Sequence, residues 1–217
     1  MSKYTTLLFD FDGTIADTDP MIIAAMNILY DKYRGGRRSP VEKIVYFSGP
    51  PIRGTLQEEF PDMDIDFMYE EFRKLSIELY PSTVELFPHC RESLLSLKQK
   101  GYHIGLVTNK IRSSTLFCLN LLDLEGYFDV LMCFDDVKHP KPNGEPIVKA
   151  ANELGEYDLD KVLYIGDNEL DLVSADNAGV DCALVSWGPR KLGEHVIPKM
   201  FISSYEDLER KIEDENL

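Results

Sequence analysis

The sequence predicts an α/β fold in which a doubly wound parallel sheet of five strands carries an inserted, all-helical segment. Three observations lead to this fold class: short apolar runs recur along the chain, helical patterns lie between them, and one long stretch lacks strands. An apolar run without polar alternation is typical of a parallel strand that is covered on both faces. Strands that alternate with helices indicate a doubly wound sheet.

The five apolar runs have strand length and are rich in β-branched or aromatic residues. They cover residues 5–9, 103–107, 130–134, 162–165 and 182–185. Four helical patterns lie between successive apolar runs, at residues 92–100, 112–122, 145–154 and 170–178. Gly101 and Gly179 come directly after two of these patterns, where a helix C-terminus favours glycine. The order of elements therefore predicts a sheet of the Rossmann-like kind.

The first strand is followed by about 70 residues in which only helices are predicted. Their patterns cover residues 20–33, 41–47, 52–60 and 66–80, with Gly-Gly and Gly-Pro-Pro sequences between them. A structureless loop of that length would be unusual in a compact domain. We therefore expect a catalytic core formed by residues 1–15 and 87–217, with a helical cap domain inserted at residues 16–86.

The charge of the chain excludes some partners. Its 217 residues carry 38 acidic and 23 basic side chains, a net charge of −15, which disfavours nucleic acid and anionic membranes. The acidic segment 206–215 is expected to be solvated surface. The four cysteines are widely spaced, residues 1–9 are too short for a signal peptide, and no apolar stretch reaches membrane-spanning length. We therefore expect a cytoplasmic protein, either a monomer or a small homo-oligomer.

Polar side chains stand at or soon after the carboxyl ends of four predicted strands. They are Asp10 and Asp12, then Thr108 and Asn109, then Lys141, and finally Asp167 and Asp171. Ligands of open parallel sheets bind at this edge, so these residues should converge on one crevice. Two carboxylates about 4 Å apart repel each other by roughly 4 kcal/mol at an effective dielectric constant of 20, so the cluster requires a cation. Oxygen ligands without histidine or thiolate favour Mg²⁺.

Four motifs resemble those of the haloacid dehalogenase superfamily, in particular its phosphoglycolate-phosphatase-like branch with a helical cap. They are Asp10-Phe11-Asp12-Gly13-Thr14, Val107-Thr108-Asn109-Lys110, Lys141-Pro142 and Gly166-Asp167 with Asp171. The resemblance covers nearly the whole chain. It implies a Mg²⁺-dependent phosphatase that hydrolyses a small phosphorylated metabolite, similar to phosphoglycolate, pyrophosphate or a nucleotide, through an aspartyl-phosphate.

By this resemblance, Asp10 is the nucleophile and Asp12 the general acid and base. Lys141 is expected to neutralise charge in the transition state, while Thr108 and Asn109 hold the phosphoryl oxygens. Gly13 is expected to let the chain turn sharply beside the phosphate.

The resemblance also implies a metal site. Its ligands are expected from Asp10, Asp12, Asp167 and Asp171, with Asp12 acting through its main-chain carbonyl and Asp171 either as a ligand or as an orienting group. An aspartate at position 12 favours phosphoryl transfer, because members of the superfamily that displace halide have no leaving alkoxide to protonate.

Substrate specificity is expected to lie in the inserted helices. Arg53 follows Pro50-Pro51 at the start of a predicted helix, where it could bind a second anionic group, although it could equally be a solvated arginine at a helix junction. Two other functions stay open. One is a sugar-phosphate mutase similar to phosphoglucomutase, and the other is a non-catalytic regulator that binds phosphate or metal.

Overall fold

The computed structural model describes residues 3–190, 193 and 197–215, and its strands and helices alternate as predicted. The strands are β1 (Thr6–Phe9), β2 (Ala16–Asp17), β3 (Glu85–Leu86), β4 (His103–Val107), β5 (Val130–Met132), β6 (Val162–Gly166), β7 (Asp181–Val185) and β8 (Met200–Ile202). The helices are α1 (Asp19–Tyr33), α2 (Val41–Ile44), α3 (Ile52–Glu59), α4 (Ile65–Thr83), α5 (Cys90–Gln99), α6 (Arg112–Leu121), α7 (Glu145–Glu153), α8 (Glu169–Ala178) and α9 (Tyr205–Asp214).

Six strands form one parallel sheet in the order β5-β4-β1-β6-β7-β8. Alternate residues of β1 point to opposite faces: Leu7 and Phe9 belong to one buried cluster, and Leu8 belongs to another. The first cluster contains residues of α5 and α9, and the second contains residues of α7 and α8. Helices therefore cover both faces, which explains why the strands read as continuous apolar runs.

The order of the strands reverses at β1. The chain passes from β1 to β4 and β5 on one side, and then returns to β6, β7 and β8 on the other. The carboxyl end of β1 consequently opens between two crossovers that run in opposite directions. In doubly wound sheets this switch point is where ligands bind.

The sheet has one strand more than predicted, and the C-terminal segment, whose acidic side chains face outward as expected, also contributes to the core. Strand β8 lies at the edge of the sheet and has only three residues, all of them apolar, so the run is too short to indicate a strand by itself. Helix α9 is acidic on its outer side but buries Tyr205, Leu208 and Ile212 against the core. The excess of acidic residues concealed this amphipathic pattern.

Helices α1 to α4 all lie between β2 and β3, which pair as a short antiparallel ribbon. Helix α1 packs against α4, and α3 also contacts α4. The Glu59 carboxylate joins α3 to α1, α2 and the segment between them, because it accepts hydrogen bonds from Tyr30, Arg34, Ser39 and Lys43. Among the described residues, no helix has the length and apolar character needed to cross a membrane.

Candidate active site

Asp10 is the first residue after β1 and lies at the switch point of the sheet. Its main-chain N–H donates to the carbonyl of Ile165 over 2.8 Å, which fixes the backbone to β6. Its side chain is buried, with Oδ1 2.8 Å from Lys141 Nζ, while Oδ2 has no hydrogen-bond partner among the described residues. Burial raises the pKa of Asp10 to about 7, although the Lys141 charge opposes this rise.

Asp12 lies two residues further along and lines the same cavity as Asp10. Its Oδ1 is 3.1 Å from Lys110 Nζ, and the same ammonium group donates to the Tyr80 hydroxyl over 2.7 Å. Tyr80 is close to the end of α4, so Lys110 connects the inserted helices to the carboxyl edge of the sheet. Burial lowers the pKa of Lys110, but the Asp12 carboxylate and the other neighbouring groups outweigh burial and raise it.

Lys141 is fully buried and lies between two carboxylates. Its Nζ is 2.8 Å from Asp10 Oδ1 and 2.7 Å from Asp171 Oδ1, and it donates to the Tyr164 hydroxyl over 2.8 Å. Burial lowers the pKa of Lys141, but the two carboxylates outweigh burial and raise it. The lysine therefore stays charged and is held in a fixed position beside Asp10.

Both oxygens of Asp171 are used within the protein. Oδ1 contacts Lys141 and accepts a hydrogen bond from Tyr164, while Oδ2 accepts from the main-chain N–H groups of Asp167 and Asn168. Asn168 caps the start of α8 by accepting from the Asp171 N–H, so the two residues form a reciprocal capping box. These contacts fix the orientation of Asp171, and the oxygens of Asp167 are likewise engaged, by Asn168 and by Arg190.

Arg190 is a buried arginine that the sequence analysis did not identify. Its guanidinium donates to Asp167 and also to Asp19, which begins α1, with 2.5 Å between Nη2 and Asp19 Oδ1. Its side chain is 1% exposed. Burial raises the pKa of Asp167, and the Arg190 charge opposes this rise. Arg190 follows the carboxyl end of β7. Its position at the same sheet edge could therefore have indicated from the sequence that it belongs to the site.

The acidic cluster fits a hard divalent cation. Carboxylate oxygens of Asp10, Asp167 and Asp171 lie within 4.8 Å of one another, and all three residues are buried. The unpartnered Oδ2 of Asp10 provides a ligand atom that no protein donor occupies. The Asp12 carboxylate is not a member of this cluster.

Gly13 has a positive φ of 80°, in the region that glycine tolerates best. A Cβ atom at this position would lie 2.1 Å from Asp167 Oδ2 and 2.8 Å from Arg190 Nη1. The absence of a side chain therefore lets the first motif approach the fourth closely. The Gly13 carbonyl also accepts a hydrogen bond from Trp187 Nε1 over 3.2 Å.

Thr108 and Asn109 follow β4, and both line the cavity. The Thr108 hydroxyl accepts from the Lys110 N–H over 3.1 Å. The Asn109 amide donates to the carbonyls of Gly49 and Lys141 and accepts from the Lys141 N–H. The side chain of Asn109 thus holds the Lys141 loop and the loop before α3, so any contact it makes with phosphate has to compete with these bonds.

A cavity of about 350 Å³ opens above Asp10 and Asp12, between the sheet edge and the inserted helices. Arg53 is one of the residues that line it. Its Nη1 lies 2.6 Å from Asp66 Oδ1, and its guanidinium stacks 4.2 Å from the centre of the Tyr69 ring. The structure therefore brings together the predicted residues of all four motifs, with Arg53 on the wall of the cavity next to them.

Comparison with known proteins identifies the family. Residues 7–185 match the family model described as haloacid dehalogenase-like hydrolase. The pyrophosphatase PpaX of Bacillus pumilus (strain SAFR-032) is 34% identical over 210 residues, which cover 95% of each chain.

Solved structures agree with this assignment. A haloacid dehalogenase-like hydrolase from Bacteroides fragilis superposes with a TM-score of 0.85 at 28% identity, covering 95% of this chain and 100% of that one. A predicted phosphoglycolate phosphatase from Haemophilus somnus 129PT has the same fold, with a TM-score of 0.80 at 18% identity, covering 97% and 99% of the two chains. The resemblance seen in the sequence is confirmed, and the chain belongs to the haloacid dehalogenase-like hydrolase family as a phosphatase.

Proposed function

We propose that this phosphatase is a Mg²⁺-dependent phosphomonoesterase that acts on a small phosphorylated metabolite through an aspartyl-phosphate. One observation carries the proposal: the buried Asp10 carboxylate lies at the switch point of the sheet with one oxygen held by Lys141 and the other unpartnered. A carboxylate in this position can attack a phosphoryl group bound in the cavity. Covalent catalysis then divides one difficult displacement into two easier ones.

In the first step, an Asp10 oxygen forms a bond to phosphorus while the bond between phosphorus and the leaving oxygen breaks. Asp12 gives its proton to that leaving oxygen, because its carboxylate lines the cavity above Asp10. In the second step, Asp12 takes a proton from water as the water oxygen attacks phosphorus. The bond between phosphorus and Asp10 then breaks, and inorganic phosphate leaves.

Negative charge builds up on the phosphoryl oxygens in both steps, and positive groups around Asp10 stabilise this charge. The Lys141 ammonium is fixed 2.8 Å from Asp10 Oδ1, so it needs no rearrangement to stabilise this charge. The Thr108 hydroxyl and the main chain at Asn109 and Gly13 are proposed to bind the phosphoryl oxygens. When bound by Asp10, Asp167 and the Asp12 carbonyl, Mg²⁺ would supply electrostatic stabilisation of the same charge.

Phosphate release from phenyl phosphate, measured with and without Mg²⁺, tests this proposal. Asp10→Asn should lower kcat by about a thousandfold or more, because the nucleophile is lost. Asp176→Asn is the control, since Asp176 is exposed on α8 and should leave kcat unchanged. Undiminished turnover by Asp10→Asn would contradict the mechanism.

The same assay separates the two alternative functions. A mutase would exchange phosphate between sugar phosphates only with a bisphosphate primer and would release little inorganic phosphate. A non-catalytic regulator would bind phosphate without turnover. The Lys141 contact with Asp10 favours catalysis over binding alone, because it orients the side chain that attacks.

We further propose that the enzyme works in the cytoplasm as a monomer or small homo-oligomer, with neither nucleic acid nor membrane as a partner. Its four cysteines are free and buried, which suits a reducing compartment. Light scattering coupled to gel filtration would measure the oligomeric state.

A further inference from the structure

The walls of the cavity above Asp10 are largely apolar away from the reacting groups. Side chains of α1, α4, α6 and the adjoining loops form these walls, among them Met21, Phe47, Phe72, Ile77, Phe117 and Phe134. The volume of about 350 Å³ falls within the range of sites that enclose a small organic ligand. A phosphoryl group bound at Asp10 would fill only one end of this space.

The cations that line the cavity in the described part of the chain are already paired with carboxylates. Arg53 contacts Asp66 at 2.6 Å and stacks on Tyr69, and Arg73 Nη1 lies 3.5 Å from Glu70 Oε1.

Lys110, at the reacting end of the cavity, pairs with Asp12. A leaving group with its own negative charge would lose water in this cavity and would gain a positive partner only by drawing one of these cations away from its carboxylate.

We propose that the substrate is a phosphomonoester of an apolar, ring-bearing alcohol, and this inference rests on the phosphatase function proposed above. The phosphate lies at Asp10, and the alcohol lies against Phe72, Phe117 and the other apolar walls. Burial of apolar surface then favours such an alcohol by roughly fourfold for each methylene-sized increment. Pyrophosphate and phosphoglycolate, whose leaving groups are anionic, are poor substrates.

The value of kcat/KM for four substrates tests this inference: benzyl phosphate, ethyl phosphate, phosphoglycolate and pyrophosphate. Benzyl and ethyl alkoxides have similar basicity, so their comparison reports binding of the ring rather than leaving-group chemistry. Benzyl phosphate should exceed each of the other three by about 30-fold or more. A higher kcat/KM for pyrophosphate or phosphoglycolate would overturn the substrate class and leave the phosphatase function intact.

A charge placed in the wall provides a second test. Ile77 lines the cavity and is 50% exposed, so Ile77→Lys should fold normally. It should lower kcat/KM for benzyl phosphate by about tenfold and raise it for phosphoglycolate, because the new cation has no partner there. Ile28→Lys is the control, since Ile28 is 39% exposed and lies outside the cavity. Equal effects of the two variants would overturn the inference.

Binding measurements keep the inference testable if no substrate is turned over. Benzylphosphonate and ethylphosphonate cannot be hydrolysed in this way, and titration calorimetry in the presence of Mg²⁺ gives their affinities. Benzylphosphonate should bind about 30-fold more tightly. Equal affinities would contradict an apolar leaving-group site whether or not the protein is a catalyst.

Discussion

Lys141 and Asp171 form a fully buried ion pair, with 2.7 Å between Nζ and Oδ1. The pair comes from two motifs that are 30 residues apart, and it fixes the ammonium group that touches Asp10. Asp171 is itself fixed by the start of α8, through the N–H groups of Asp167 and Asn168. The position of Lys141 therefore depends on a helix cap.

Asp171→Asn should lower kcat by about 10- to 100-fold, because the amide no longer holds Lys141 by charge. The half-saturating Mg²⁺ concentration should change less in this variant than in Asp167→Asn, if Asp171 orients and Asp167 ligates. Steady-state kinetics at several Mg²⁺ concentrations measure both quantities. A larger loss of Mg²⁺ affinity in Asp171→Asn would instead identify Asp171 as a direct ligand.

Tyr80→Phe should lower kcat by about fivefold, because it removes the 2.7 Å hydrogen bond that holds Lys110 beside Asp12. Tyr33→Phe is a matched control, since its hydroxyl donates to Glu71 over 2.7 Å away from the cavity. Kinetics and thermal unfolding of both variants make the comparison. An equal loss of kcat in the two variants would show that the Lys110 contact has no catalytic role.

Gly13→Ala should destabilise the fold and abolish Mg²⁺-dependent activity, because its Cβ would lie 2.1 Å from Asp167 Oδ2. Gly101→Ala separates this clash from backbone strain, since Gly101 has a φ of 89° but open space around an added Cβ. Strain alone should cost each variant about 1 kcal/mol of unfolding free energy. Urea unfolding and activity assays should therefore find the additional loss only in Gly13→Ala.

Glu59 should make the stability of the inserted helices depend on pH. Burial raises the pKa of Glu59, but hydrogen bonds from Lys43, Ser39 and Tyr30 outweigh burial and lower the pKa to about 2. A carboxyl whose folded pKa lies below its ordinary value of 4.5 stabilises the fold above that value, and the contribution is lost as pH falls toward 2.

Glu59→Gln should therefore lower the free energy of unfolding by about 2 kcal/mol at pH 7. The difference from the unmodified chain should shrink as the pH falls below about 4.5. Chemical unfolding at a series of pH values measures this difference. Glu58→Gln, which changes an exposed neighbour, should remain close to the unmodified chain at every pH; a difference that does not vary with pH would contradict the prediction.

The sequence predicts the strands around β1 well because both faces of this sheet are buried. Leu7, Leu8 and Phe9 all have to be apolar, and such a run is visible without any knowledge of its neighbours. Strand β8 lies at the edge and is also apolar, but its run of three residues is too short to be recognised as a strand. The buried face of α9 was likewise hidden by the acidic residues between Tyr205, Leu208 and Ile212.

The sequence predicts those site residues that come directly after a strand. Asp10, Thr108 and Asp167 follow strands directly, so parallel topology alone brings them together. The roles of Lys110 and Arg190 depend instead on partners that are far away in sequence. Arg190 contacts Asp19 across 171 positions, and no local pattern around either residue indicates that contact.

The hydrogen bond from Trp187 to Gly13 has a counterpart in the Tyr205 hydroxyl, which donates to the Thr14 carbonyl over 2.9 Å. Residues that follow β7 thus close over a motif that follows β1, across separations of 174 and 191 positions. Strand β1 likewise needs β4 and β6, its two neighbours in the sheet, which lie far from it along the chain. The loop that carries Asp10 therefore depends on contacts of long sequence separation, which are the contacts that form slowly in folding.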